Sequence, residues 1–330
     1  MITVLMATYQ GIPYLEQQLD SILAQTVPVR IWISDDGSDD GTRQLLENYQ
    51  NWYPSQIFLF HRKKEEAPMP GAAGNFFWLL ALAAKEGKSD YVMLSDQDDV
   101  WFNNKVKQQL RRMKLLEKGL GSKCPILVHS DMEVTDGELH EISPSFFHYA
   151  GCNPERTSFA EILVENPVTG AAMMMNRSLL NLVAEPPKAC FMHDWWIALA
   201  ASCFGVIDYV AAPLYQYRQH ETNVLGAREC GSLEDCRQRL SRQRQQEIED
   251  NYRLMMAQAN AFGKRFWEQM DGRQRMVLRA FLALPYQSVA GRLQNILRNR
   301  FWKSSKLQTA AMCVTIPHAG EKLGRKGKGL

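Results

Sequence analysis

An apolar run, Tyr91-Val-Met-Leu94, ends on three carboxylates within four positions: Asp96, Asp98 and Asp99. A short, continuously apolar run reads as a strand buried on both faces, so these acids stand at the end of an interior strand. Carboxylates packed this closely repel one another. Their pKa values rise unless a cation or a donor network sits among them. A hard divalent cation, Mg2+ or Mn2+, held by one or two of them and by substrate phosphates is the simplest resolution. The other reading is an acidic loop or the N-cap of the helix expected over Lys105 to Lys118, although a cap needs one Asp and not three.

The chain before this point reads as α/β. Ile2 to Met6 is a strand that ends in the small-residue loop Ala7-Thr-Tyr-Gln-Gly11. Pro13 suits a first helical turn, and Leu15, Leu19, Ile22 and Leu23 follow at helical spacing. Val29 to Ile33 is the next strand, which completes a βαβ unit and implies a parallel sheet. It ends in Ser34-Asp-Asp-Gly-Ser-Asp-Asp-Gly-Thr42. A turn and a helix cap account for Asp39 to Thr42 but not for Asp35 and Asp36, at the strand edge where open α/β sheets bind ligands. Asp35 could accept from a pyrimidine N–H or from ribose hydroxyls. Ile57 to Phe60 is a third strand, and a long loop runs from His61 to Gly74. Asn75 then opens a helix over Phe76 to Ala84. A glycine-preceded helix start suits a phosphate or ribose, and Asn is equally a common cap.

Further on, Pro125 to His129 is a strand that ends near Asp131, an edge or turn residue. Pro167 to Met175 reads as a strand whose Gly170 and Ala171 permit close approach, with Met173 to Met175 in the core. In His193-Asp194-Trp195-Trp196, an Asp beside two indoles is partly desolvated, which suits a general base; a cap for the following helix is the alternative. Val206 to Val210 and Pro213 to His220 read as strand, the latter ending at Arg218 and His220. His220 is a candidate metal ligand or phosphate contact.

With 330 residues, 45% of them apolar and 22% charged, the chain can bury a real core. Met1 to Ala7 has no basic start and reads as a first strand, not a signal peptide. No stretch approaches the ~20 apolar residues needed to cross a bilayer. Seven scattered cysteines without a CxxC pair argue against a disulfide framework or a zinc site and fit a reducing cytoplasm. The net charge of +2 hides an asymmetry. Residues 226–330 hold 20 Lys and Arg against 9 Asp and Glu, a net +11, whereas residues 1–225 hold 18 against 27, a net −9. The expected division is a catalytic domain over 1–225 and a basic helical extension over 226–330. In the extension, Glu229 to Ala261 is a polar helix. Arg273 to Leu284 and Gly291 to Trp302 are basic amphipathic helices with Phe281, Phe301 and Trp302 as aromatic edges. Such helices suit an anionic membrane surface; packing on the catalytic domain or on a second copy, as a homo-oligomer, is the alternative. Gly320 to Leu330 is Gly/Lys-rich and expected to lack fixed structure.

Taken together, Ala7-Thr-Tyr-Gln-Gly, Ser34-Asp-Asp-Gly-Ser-Asp-Asp-Gly-Thr, Gly71-Ala-Ala-Gly-Asn-Phe, Ser95-Asp-Gln-Asp-Asp-Val-Trp, His193-Asp-Trp-Trp and Tyr217-Arg-Gln-His resemble, in order, the family 2 inverting glycosyltransferases. Within them the chain is most similar to bacterial rhamnosyltransferases of cell-wall and O-antigen polysaccharide synthesis. The resemblance implies a GT-A fold, a Rossmann-like and mostly parallel sheet with flanking helices, together with a nucleotide-sugar donor and Mg2+ or Mn2+. It sets Thr8 and Tyr9 against the nucleoside, Asp35 on the base, and Gly74 and Asn75 on the nucleotide side. Asp96 contacts ribose or metal. Asp98 is the metal ligand, His220 the distal metal or diphosphate contact, and Asp194 the base. Many relatives carry Glu-Asp where this chain has His193-Asp194, so the resemblance gives His193 no role. The implied reaction moves a sugar, L-rhamnose from dTDP-rhamnose or another sugar from a UDP-sugar, to a hydroxyl of a glycan carried on a polyprenyl lipid. It would take place at the cytoplasmic face of the membrane.

Three other functions fit the sequence less well. A non-catalytic nucleotide- or glycan-binding module would not need both Asp98 and Asp194. A nucleotide-dependent oxidoreductase would want GxGxxG after the first strand, which is missing. A nucleic-acid binder is at odds with the acidic first 225 residues.

Overall fold

A computed structural model describes residues 1–63, 69–220 and 242–317. The chain forms two compact units. The first comprises residues 1–157, 166–186 and 192–230, and the second residues 158–165, 187–191 and 231–330.

The first unit is built on one nine-stranded sheet. Its elements are β1 (Ile2–Thr8), α1 (Leu15–Leu23), β2 (Arg30–Asp35), α2 (Thr42–Trp52), β3 (Ile57–Phe60), α3 (Gly71–Glu86), β4 (Tyr91–Ser95), β5 (Val100–Trp101), α4 (Lys105–Leu120), β6 (Ile126–Thr135), β7 (Glu141–Ser143) and α5 (Phe146–Tyr149). After α6 (Phe159–Ile162), which belongs to the second unit, come β8 (Met174–Asn176), α7 (Arg177–Val183), α8 (His193–Phe204) and β9 (Val206–Arg218). The strand order is β3-β2-β1-β4-β8-β6-β9-β5, with β7 beside β6. β3, β2, β1 and β4 are parallel, as is the β6–β9 pair; β8 and β5 run against their neighbours. Val4, Leu5, Met6, Ile31, Met93 and Leu94 are buried at the centre of the sheet, as the continuous apolar runs require.

Two elements depart from the sequence reading. The stretch Pro167 to Met175 is not one strand: Gly170–Ala172 form a buried 3₁₀ turn, and only Met174–Asn176 pair in the sheet. Buried side chains take the carbonyls a ladder would have used, since Lys105 Nζ donates to Ala171 O at 2.9 Å and Gln109 Nε2 to Ala172 O at 2.6 Å. The helix α3 starts at Gly71, not Asn75, with extended Pro70 as its cap residue. Asn75 therefore lies inside the helix, buried, and donates Nδ2 to Ser34 O at 2.8 Å.

The second unit holds α6, α9 (Arg242–Phe266), α10 (Gly272–Leu282), α11 (Val289–Asn299) and α12 (Lys306–Thr315). Phe159 packs on Phe262, Phe262 on Phe266, and Phe281 on Phe301. Three helix starts are capped by side chains accepting a backbone N–H: Asp271 from Gln274, Ser288 from Gly291, and Ser305 from Gln308. The buried Arg292 donates to the carbonyls of Leu284, Cys313, Ile316 and Pro285. The expected helix start at Glu229, the division near Gly226 and the tail from Gly320 all lie outside the described residues. No helix of the described residues is long and apolar enough to cross a membrane.

Candidate active site

The site forms where the parallel strands end. Thr8 closes β1 and pairs in register with Asp35, the last residue of β2; Ser95 closes β4 beside Met6. Burial alone would raise the Asp35 pKa. Donors outweigh it and hold the carboxyl below its ordinary value: Ser38 through side chain and backbone, Arg43, and Thr8. The Gly37 N–H adds a further bond at 3.1 Å. Five donors thus crowd one carboxylate, and Asp35 fixes the shape of its own loop. Tyr9 is exposed, and its backbone is held by the Gln97 side chain, which accepts from Tyr9 N at 2.8 Å and donates to Tyr9 O at 2.9 Å. Gly74 lies in the first turn of α3, where an added Cβ would stand 1.7 Å from Met69 O.

The acidic loop after β4 folds back because β5 pairs with β9 through Val100–Gln216 and Trp101–Tyr215. That pairing lays Asp98 against the end of β9, so that Asp98 Oδ2 and His220 Nε2 are 2.9 Å apart. Arg218 locks the arrangement. Its guanidinium donates to Asp98 O, Gly137 O and Gln17 Oε1, and it lies over the Tyr14 ring. His220 stacks against that same ring, 4.7 Å between centroids. None of the three carboxylates caps α4, whose cap residue is Asn104.

Asp194 occupies the first turn of α8. The cap residue is Met192, so the capping alternative does not hold. Burial pushes the Asp194 pKa up to about 7, against hydrogen bonds from the backbone of Trp195 and Gly170. Asp96 is likewise pushed up to about 7, by burial first and then by the charges of Asp98 and Asp194. The buried Asp99 is raised well above the usual carboxylate range, by burial and then by Asp98 and Asp96. These shifts bring Asp96, Asp98, Asp99 and Asp194 into one electrostatic cluster. Asp35 and Thr8 form a separate group at the neighbouring strand end.

Several participants escaped the sequence reading. Gln97 lies inside the acidic motif, but its link to Tyr9 needed the tertiary fold. The buried Gln18 donates to Ser95 Oγ at 2.7 Å and to Asp96 O at 3.2 Å. Lys105 is fully buried over the rings of Trp101 and Tyr215, and burial pushes its pKa down to about 7 against the opposing charge of Asp99. His193 stacks on Phe76 with 4.3 Å between centroids and fills the space opposite Gly170, where a Cβ would stand 2.7 Å from its Nε2. Burial pushes its pKa down to about 3, so the ring is a neutral wedge. Asp131, read as an edge or turn residue, sits within β6 and accepts from Ser145 Oγ and the N–H groups of Phe146 and Phe147.

Asp98 Oδ2 and His220 Nε2 lie at hydrogen-bond distance from each other, and a carboxylate and an imidazole are both common ligands of divalent cations. The pair therefore fits a divalent metal. No group of three or more ligating side chains occurs among the described residues, so phosphate oxygens and water would complete the shell.

Residues 3–182 match Glycosyl transferase family 2. The chain is 30% identical over 227 residues to the dTDP-rhamnosyl transferase RfbG of Shigella flexneri, covering 67% of this chain and 74% of that one. Among solved structures it resembles S. aureus TarS 1-349 in complex with UDP-GlcNAc, with a TM-score of 0.55 and 16% identity over 90% of this chain and 72% of that one. It also resembles the mannosyltransferase PcManGT from Pyrobaculum calidifontis in complex with GDP-Man and Mn2+, with a TM-score of 0.52 and 16% identity over 95% and 78%. These likenesses show the GT-A fold that the motif order implied.

Proposed function

The chain belongs to glycosyl transferase family 2 and is a glycosyltransferase, and from that premise we propose a metal-dependent, inverting transfer of L-rhamnose from dTDP-rhamnose to a hydroxyl of a growing, lipid-linked cell-surface polysaccharide. The observation that carries the proposal is the convergence of Asp194, poised near neutrality by burial, with Asp96 and the Asp98–His220 pair. Inversion at the anomeric carbon is one in-line displacement and needs one base. Asp194 takes the acceptor hydroxyl proton; a base with a pKa near the working pH is best matched to that task. Asp98 and His220 would hold the cation, and Asp96 would reach the ribose or the cation. When bound, the metal supplies positive charge to the departing diphosphate. An imidazole in the ligand set suits Mn2+ better than Mg2+, which prefers an all-oxygen shell.

In this reading the exposed Tyr9 ring lies against the nucleoside, beside Thr8, and Gly74 and Asn75 line the nucleotide side. Asp35 can accept a base N–H only by giving up one of its present donors. Arg43 is exposed, with its side chain 62% accessible, and it is the one we assign to move. The sugar rests on the relative named a dTDP-rhamnosyl transferase, and the cation on the neighbour solved with Mn2+. The enzyme would work in the cytoplasm, at the inner membrane surface where a polyprenyl-linked acceptor is presented.

The deciding experiment is a donor screen. The purified chain, with Mn2+ or Mg2+, is given UDP-, GDP- and dTDP-sugars, and nucleoside diphosphate release and donor binding are read. Preference for dTDP-rhamnose supports the proposal. Preference for another donor keeps the reaction and removes rhamnose. Donor binding that is indifferent to metal removes the metal.

A further inference from the structure

The second unit turns one helix inside out. On α11 the face toward the unit's own core carries Arg292 and Asn295 beside Ile296, all buried. The polar pair is satisfied by main-chain carbonyls: Arg292 by four, and Asn295 by Ala280 O at 2.8 Å. Next to this buried face, Val289, Leu293 and Leu297 stand out to solvent, at 48%, 47% and 53% exposure. Their spacing of four puts them on one stripe of the helix. An ordinary surface helix shows the reverse arrangement. Single exposed aliphatics need no explanation, but a continuous stripe marks a contact surface.

The charge beside the stripe indicates what covers it. Arg298 and Arg300 are exposed at the same helix end. Arg300 takes the left-handed conformation that closes α11, with φ of 58°, a position where glycine would be less strained. From Gly272 to Pro317 the chain has eight Lys and Arg and not one Asp or Glu. The next helix, α12, also exposes aliphatic side chains, Leu307 and Val314, at 72% and 67%. Of the three aromatic edges, Phe281 and Phe301 are buried in the unit's core and Trp302 is half-buried.

We propose that the outward face of α11, with Val289, Leu293 and Leu297 entering the headgroup boundary and Arg298 and Arg300 at its rim, docks the enzyme on an anionic phospholipid surface. Aliphatic burial and attraction to acidic lipids act together in such binding. A second copy of this chain, docked by the same face, would bring Arg298 and Arg300 against their own like charges, which disfavours it as the occupant. The inference rests on the membrane-side placement proposed above and assigns that placement to one face.

The test is flotation of the full chain with phosphatidylcholine vesicles, with and without phosphatidylglycerol, comparing wild type with the double variant Leu293→Asp/Leu297→Asp and with Arg298→Glu/Arg300→Glu. Both pairs are exposed, so the fold should persist; thermal melting and nucleotide-sugar binding in solution check this. The expected result is binding that requires phosphatidylglycerol, weakens with salt, and falls about tenfold or more in each double variant. Wild-type binding that survives both variants would overturn the α11 assignment and leave the membrane placement standing. No binding to either vesicle would overturn both. A dimer in light scattering that the leucine variant dissociates would give the face to a second copy and overturn the proposal.

Discussion

Asp194 is the residue whose environment most directly sets the chemistry. Its carboxyl, pushed up to about 7 by burial, works as a base only when ionised. Transfer should therefore rise as pH increases through about 7 and fall off on the acid side. Asp194→Asn should abolish transfer and the pH dependence with it while leaving donor binding within about twofold; initial rates across a pH series and a donor titration check both. Asp98→Ala and His220→Ala should each weaken metal-dependent donor binding, measured by calorimetry with and without Mn2+, whereas Asp194→Asn should not. Lys105 makes a separate prediction. Its pKa is about 7 folded against an ordinary 10.5, so between these values the unfolded chain binds the extra proton and stability rises with pH. Lys105→Met removes that rise. Denaturation midpoints measured at intervals from neutral to alkaline pH should climb in the wild type and stay flatter in the variant.

At the scale of elements, the start of α3 depends on one missing atom. Gly74 lets the first turn pass against Met69 O, where a Cβ would stand at 1.7 Å. Because the obstacle is backbone, it cannot swing away as a side-chain tip could. Gly74→Ala should cost about 1–3 kcal/mol by the usual cost of overpacking and should weaken nucleotide binding. A chemical denaturation curve and a donor titration separate the two effects, and a variant as stable as wild type would show that the turn has room to move. The β5–β9 pairing is the other decisive element. It is only two residues long on the β5 side, yet it brings Asp98 to His220 across 122 positions.

At the scale of the whole molecule, the chain enters the second unit three times, through residues 158–165, 187–191 and 231–330. Phe159 of α6 packs on Phe262 of α9, and Phe191 N and Cys190 Sγ donate to Gln258 Oε1. A cut after residue 225 strands two of these segments with their apolar and polar faces unmatched. The truncated protein should melt well below the full chain and aggregate; scanning calorimetry and light scattering check this. A truncation that melts like wild type would mean those segments add little to stability.

Most of the first unit was legible in the sequence because buried parallel strands announce themselves as continuous apolar runs and end on the residues they deliver: Thr8, Asp35, and the acids after Leu94. The helical spacing in α1 and the family motifs, in their order, were legible for the same reason, as local patterns. What the tertiary structure alone decided depends on contacts between distant segments. The 3₁₀ turn at Gly170 exists because Lys105 and Gln109 claim its carbonyls from another helix. Asn75 serves Ser34 from inside α3 instead of opening that helix. Gln97 holds Tyr9, and His193 became a neutral wedge because Phe76 and Gly170 surround it. The inverted α11 could not be read from its own residues, since an amphipathic pattern fixes the two faces of a helix but not which of them the rest of the chain will cover.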